Sequence, residues 1–356
     1  MFMHSTRSVP TLLLRRFLPA CLLGALFVST LPLSAQVKPD ISIGAGLRTS
    51  FGHTEPERGA SKDEFLLNSI RLYVNGSVME HVKFMFNTEY DGGGNHVDVL
   101  DAVGRFEYSP KFNIWFGRFL PPSDRANLYG PYYAHHWNVY TDGIQNGHPF
   151  VFQGRDNGVA YWGDFNKIKF SIGAFDGSSA TGRSDVIGAA RLQINFWDKE
   201  DGYYLNSTYY GGKNLLSIAG ATQVQDGRTA TTVDFLMERK LPNAGVVTIE
   251  SEYANYNRLG GYDAAYKQSQ GGYGLASYLF PKQVGIGKIE VLGKYAIAQF
   301  TRGTTRSYRQ NTTEINFNYV IKEFNARVMT FFKDTRFNVP TRTDFWQAGV
   351  GLQFQI

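Results

Sequence analysis

Apolar and polar residues alternate with period two over most of the chain. Ile41, Ile43, Ala45, Leu47 and Phe51 share one face of an extended segment, and Ser42, Gly44, Gly46, Arg48 and Ser50 share the other. Ile70, Leu72, Val74 and Val78 alternate with Ser69, Arg71, Tyr73, Asn75 and Ser77. Val82, Phe84, Phe86 and Tyr90 alternate with Lys83, Asn87, Glu89 and Asp91. The pattern returns at Leu192, Ile194 and Phe196, and again at Ile315, Phe317, Tyr319 and Ile321. Successive side chains of a strand point to opposite faces, so each run predicts a strand with one apolar and one polar face. Many runs last about ten residues or more, the length a tilted strand needs to cross a bilayer.

Turn chemistry separates the runs: Asp91-Gly92-Gly93-Gly94, Ser109-Pro110, Asp176-Gly177-Ser178, Asp201-Gly202, Asp226-Gly227 and Pro242-Asn243. About sixteen runs of about eleven residues fit the chain, leaving about nine residues per connection. Barrels of this kind keep both termini on one side, so the strand number should be even. The last run has Trp346, Ala348, Val350, Leu352, Phe354 and Ile356 on its apolar face. Outer-membrane proteins end on such a strand, usually with a terminal aromatic; Ile356 departs from that and Phe354 partly restores it. The expected fold is all-β, a transmembrane antiparallel β-barrel of about sixteen strands.

Composition narrows the class. The 356 residues are 43% hydrophobic, 19% charged and 15% aromatic, with 38 Gly. The charged fraction lies below the roughly 25% of soluble chains. Mean hydropathy is −0.27, too polar for a bundle of membrane helices. Only a barrel needs apolar residues at just every second position of a membrane-crossing segment.

Residues 1–35 read as an export signal, leaving 36–356 as the barrel domain. Arg7, Arg15 and Arg16 supply positive charge, Phe17 to Leu31 form an apolar stretch, and Leu33-Ser34-Ala35 is a cleavage site. Arg15-Arg16 hints at a twin-arginine route, but that route carries folded proteins and a barrel must cross unfolded. The one cysteine, Cys21, leaves with the leader, so the mature chain has no disulfide, thiolate metal site or thiol nucleophile. The leader's three arginines also leave, and the formal charge falls from +5 to +2. That balance does not support nucleic-acid binding. The expected location is a Gram-negative outer membrane.

Four segments resemble the phosphate-selective porin O and P family. Leu100-Asp101-Ala102, followed by Phe112 to Pro122, is similar to the family's Asp-Ala strand and Gly-x-Phe-x-x-Pro segment. Gly154-Arg155-Asp156-Asn157-Gly158-Val159 is similar to its Arg-Asp-x-Gly-Val strand start. Phe170 to Gly177 resembles its Gly-x-Phe-Asn-Gly hairpin, with Asp for Asn, and Ala190-Arg191-Leu192 resembles the opening of the next strand. Order and spacing match over about residues 98–197. The resemblance implies a sixteen-stranded homotrimeric porin passing small hydrophilic solutes or anions such as phosphate, in contact with outer-membrane lipid and lipopolysaccharide.

An anion path would need a ladder of cations along the lumen. The polar faces offer Arg48, Arg71, Lys83, Arg105, Arg191, Lys294 and Arg327 as pore-lining, anion-contacting candidates. They also carry Glu89, Asp91, Asp101, Glu107, Glu250, Glu252, Glu290 and Glu314. Anion preference, little selectivity and cation preference all stay open, and so does a bracing role for paired charges. Residues 121–153 form the longest stretch without alternation and are too aromatic for a disordered segment. They are expected to fold inward as a constriction, with Arg125, His135 and His136 facing the solute. The alternative is an outer loop packed on a neighbouring copy or on lipopolysaccharide.

No motif demands catalysis or a cofactor. Adjacent His135 and His136 would point apart on an extended segment and lack a third ligand nearby, which argues against a metal. Gly271-Gly272-Tyr273-Gly274 lacks the lysine and helix of a phosphate cradle. Glu250 and Glu252 are read as pore lining rather than a glycosidase pair. Trp115, Tyr132, Tyr133, Tyr203, Tyr209, Tyr210, Tyr253 and Tyr295 are assigned to interface girdles, and Tyr204, Tyr256 and Tyr278 to the lumen, where they would form an apolar slide for sugars or aromatic acids. The chain is therefore read as a non-enzymatic porin. An outer-membrane hydrolase and a barrel with a plugged lumen are the rivals.

Overall fold

The computed structural model describes residues 40–144, 154–177, 185–261, 263, 265–302 and 306–356. The leader expected over residues 1–35 lies outside them. Sixteen strands follow in order. The first eight are β1 (Asp40–Pro56), β2 (Lys62–Met79), β3 (Val82–Asp91), β4 (His96–Ser109), β5 (Phe112–Phe119), β6 (Asp156–Phe165), β7 (Ile168–Phe175) and β8 (Ile187–Asn195). The second eight are β9 (Leu215–Gln225), β10 (Arg228–Lys240), β11 (Val246–Asn257), β12 (Gln268–Val284), β13 (Gly287–Arg302), β14 (Arg306–Lys322), β15 (Ala326–Phe337) and β16 (Phe345–Gln355). Each pairs antiparallel with its sequence neighbours, and β16 closes on β1 with Gln353 opposite Arg48.

Closure removes every strand edge, the condition for a sheet to stand in hydrocarbon. The outward face is correspondingly apolar. Phe116 is 66% exposed and Phe317 57%, with Ile70, Leu192 and Val233 also uncovered. An apolar surface of this extent on every strand has no soluble explanation and is the lipid-facing belt of a transmembrane barrel. The alternation read at β1, β2, β3, β8, β14 and β16 holds residue by residue, with the polar set inside.

Both ends of the sheet lie on one rim, where the Ile356 amide donates to the Ala45 carbonyl at 2.9 Å. Connections on this terminal rim are tight, such as 80–81, 110–111 and 285–286, except the 19-residue link 196–214 between β8 and β9. The longest connection on the opposite rim, 120–155, joins β5 to β6 and holds the helix α1 (Arg125–Tyr129) and a 3-10 turn at Pro131–Tyr133. Asp124 caps α1 by accepting from the Asn127 amide at 2.8 Å.

The girdle assignment is corrected for most of its rings. Tyr253 and Tyr295 face outward, half exposed, but Trp115, Tyr132 and Tyr203 are buried inside the barrel. Tyr209 and Tyr210 turn inward too, onto Glu200 and Arg327, and Tyr133 borders an inner cavity. All but Trp115 sit on the two long connections, which fold back inside. Trp115 shares the inward face of β5 with Asn113. Tyr278 is corrected in the other sense: it lies on the outward register of β12, between buried Ser277 and Leu279, and packs on Phe280.

Candidate functional site

The lumen is filled from both rims. Residues 120–144 enter from one side and are almost all buried; residues 145–153 of the expected constriction lie outside the described set. The loop crosses to the far wall and is sewn to it through its backbone. Arg327 Nη2 and Gln353 Nε2 donate to the Tyr132 carbonyl at 3.1 and 2.8 Å. Asn318 donates to the His135 carbonyl at 2.7 Å, and the Trp137 amide donates to Asn316 at 3.0 Å. A loop without its own ladder must satisfy its amides and carbonyls elsewhere, and the inward polar residues of β14 to β16 do so. Glycine makes the room: a Cβ on Gly351 would lie 2.5 Å from the Trp137 ring, and one on Gly46 2.6 Å from the Tyr132 ring.

The four sequence segments that resembled a porin family are the mount of this loop. Gly117 has a φ of +130°, and a Cβ there would meet the Ala102 carbonyl oxygen at 2.1 Å, so only glycine fits where β5 turns into the loop. At the loop's return, Arg155 Nε donates to Asp101 at 2.9 Å, and Asp156 accepts from the Gly177 amide at 2.7 Å. Arg191 Nη1 holds the Ser123 carbonyl at 3.0 Å. Residues far apart in sequence thus meet at the two feet of one loop.

The link 196–214 enters from the terminal rim and meets the loop. Glu200 accepts from Arg125 Nη1 at 2.9 Å and Nη2 at 2.5 Å, with both side chains fully buried. Ser207 donates to the Tyr133 carbonyl from its amide at 3.0 Å and its hydroxyl at 2.8 Å. Burial alone would raise the Glu200 carboxyl, but the Arg125 guanidinium overrides it and holds Glu200 down to about 2.

The seven candidate pore-lining cations all face inward, and each has a partner. Arg71 pairs with Glu89 at 2.8 Å, Lys83 with Glu107 at 2.9 Å, and Lys294 with Asp142 at 2.7 Å. Arg191 donates to Asp234 at 2.9 Å, and Arg105 lies 3.8 Å from Glu107. Arg48 stacks 4.0 Å from the Trp137 ring centroid and bonds its carbonyl, while Arg327 holds loop carbonyls. Of the loop candidates, Arg125 faces Glu200. His135 lies 3.4 Å from Glu290 and His136 3.4 Å from Lys294 Nζ, both histidines fully buried. Among the described residues no cluster of His, Cys, Asp and Glu could hold a metal.

Among the described residues, a cavity of about 730 Å³ stays open between the loop, the link 196–214 and the wall β1 to β4. It runs from the terminal rim at Gly44, Asn325 and Ile356 to Arg71, Asp101 and Arg155 midway up the wall. Of the ten candidate residues only Arg71 lines it. Sequence reasoning placed Tyr204 in the lumen but did not single out Tyr73, Asn87 and Tyr140, which line the cavity beside it. The signal for the inward link that carries Tyr204 was available at 196–214: nineteen residues without alternation, carrying two Tyr-Tyr pairs, on the rim that otherwise turns tightly.

No protein-family model and no curated protein matches the chain. Solved structures do. The high-pH structure of Pseudomonas putida OprB has a TM-score of 0.61 at 9% identity, covering 89% of this chain and 94% of that one. Salmonella typhi OmpF in complex with daunomycin gives 0.59 at 12%, covering 89% and 97%. The trimer form of OmpT, an outer membrane protein of Vibrio cholerae, gives 0.57 at 10%, covering 89% and 99%. The fold is that of the outer-membrane porins. At these identities the likeness speaks for the barrel and its location class, not for a solute.

Asp124 gives the loop a pH dependence. Burial pushes its carboxyl up from the ordinary aspartate range to about 6. A raised acid stabilises the fold below its unfolded value and loses that contribution as pH rises through the folded one. Stability should therefore rise as pH falls from 7 through 6 toward 4, by about 1–3 kcal/mol. Urea midpoints in lipid vesicles at pH 7 and pH 5 test this. Asp124→Asn should remove the difference, and an unchanged difference in that variant would assign it to another group.

Proposed function

We propose that the chain is an outer-membrane diffusion channel for small hydrophilic solutes, narrowed by the loop 120–155 and with little preference between anions and cations. The observation that carries this reading is the third opposite-rim connection of a closed sixteen-stranded barrel folding inside and leaving a cavity of mixed polar and apolar lining along one wall. The segments resembling phosphate-selective porins support a channel of that general kind. The pairing of Arg71, Lys83, Arg105, Arg191 and Lys294 with carboxylates supports weak selectivity, because a cation already neutralised by a carboxylate adds little field for a passing anion. Residues 1–35 would serve as the export signal. The native assembly would be a homotrimer in contact with lipid and lipopolysaccharide, a reading supported by likeness to a barrel solved in a trimer form.

The test is the reversal potential of the refolded protein in a planar bilayer under a KCl gradient. Small steps reversing near zero are expected. A strong chloride preference, with steps blocked by phosphate, would restore the cation ladder and replace the weak-selectivity reading. A second reading is favoured by the full burial of Arg125, His135 and His136: a barrel whose lumen is plugged at rest. Protein verified as folded that gives no steps would establish it over the open channel.

A further inference from the structure

We infer that the cavity at the terminal rim is a binding site for a neutral polyhydroxylated solute of about one to two sugar rings. This rests on the channel reading but concerns the solute. Five tyrosines and five asparagines line the cavity. Its charged lining residues are Arg71 and Arg155 against Asp101 and Glu323, which cancel. Both arginines are already spent, Arg71 on Glu89 at 2.8 Å and Arg155 on Asp101 at 2.9 Å. A phosphate or carboxylate would have to break a buried ion pair to be held here, at a cost its own contact must exceed.

The groups left over suit hydroxyls. Asn87 Nδ2 donates to Asp101 at 2.8 Å, while its Oδ1 is buried with no hydrogen-bond partner. An orphaned buried acceptor is costly and is relieved by a donor from a ligand or a water. Asn75, Asn127 and Asn206 border the same space, and a primary amide both donates and accepts, as a polyol requires. The rings of Tyr133 and Tyr204 supply flat apolar faces with a polar tip. A volume of about 730 Å³ falls in the range of roughly 300–1,000 Å³ of pockets that enclose small ligands. The opening faces the rim that carries the termini, so the site is sided.

Calorimetry on the folded barrel, with maltose, glucose and inorganic phosphate as probes, tests the site. Bilayer recordings in KCl with the same probes on each side test its place in the conducting path. Saturable binding of maltose or glucose is expected, with current interruptions from the terminal side and no phosphate response. Asn87→Leu and, independently, Tyr204→Leu should weaken sugar binding by about tenfold, in protein shown to be folded by its heat-modifiable migration. Binding of phosphate in place of sugar, or of neither, overturns the inference even if KCl steps are seen. Sugar binding without any KCl step upholds the site and removes the open-channel reading instead.

Discussion

Removing residues 128–144 from the inner loop should raise single-channel conductance in KCl several-fold. The segment fills the centre of the lumen: Tyr129, Tyr132, His135, His136 and Trp137 are all buried there. Conductance through a water-filled pore follows its narrowest cross-section and the groups lining it. The barrel should survive the deletion. Its sixteen strand pairings are independent of the loop, and the wall groups that now bind loop carbonyls, such as Arg327, Asn318 and Gln353, can turn to water. Selectivity should change little, because the freed cations Arg48, Lys294 and Arg327 stand among the freed acids Glu250, Glu290 and Glu314. Unchanged conductance in folded protein would mean that residues 128–144 are not the obstruction. The link 196–214 would then be the element to shorten.

The barrel was legible because its rule is local. A period of two, repeated about sixteen times with turn residues between, leaves few folds that bury the right face. The outward apolar and inward polar registers of β1, β2, β3, β8, β14 and β16 follow from that rule alone. The contents of the lumen were not legible in this way. Alternation shows that Arg48, Lys294 and Arg327 point inward; it cannot show that Trp137, Asp142 and the Tyr132 carbonyl wait for them there. A cation facing water and a cation facing a folded-in loop have the same sequence pattern. The loop itself was found by its length and aromatic density. Its destination could be guessed only in outline, because long-range hydrogen bonds such as Asn318 to His135 join positions with no shared periodicity. The second inward connection was the larger omission. Asp201-Gly202 reads only as turn chemistry there, and Tyr203 is assigned to a girdle, although the length of the segment that carries both Tyr203 and Tyr204 points inward.

Breaking the Arg125–Glu200 pair should cost about 3–5 kcal/mol, the usual price of leaving one buried charge without its partner. In Glu200→Gln, the Arg125 guanidinium would lose its paired carboxylate and keep neutral acceptors, among them the Asn206 carbonyl at 3.1 Å and Ser217 at 3.2 Å, with Asp234 at 3.6 Å. In Arg125→Met, the Glu200 carboxylate would keep Tyr209 at 2.9 Å and Gln193 at 2.6 Å but no guanidinium. The double variant removes both charges, so it should be closer to the parent than the sum of the singles, a coupling that a double-mutant cycle measures directly. Because this pair joins the connection from one rim to the loop from the other, each single variant should also make the current noisier as the two elements part. The pH test is opposite in sense to that for Asp124. A depressed carboxyl contributes stability above its unfolded value near 4 and loses it only as pH falls through the folded one, here about 2. The latch should therefore hold unchanged from pH 7 to pH 5, where Asp124 titrates, and loosen only in stronger acid. If the parent and Arg125→Met differ by the same amount at pH 3 as at pH 7, Glu200 is not held down by Arg125, and the two connections are joined by their backbone contacts alone.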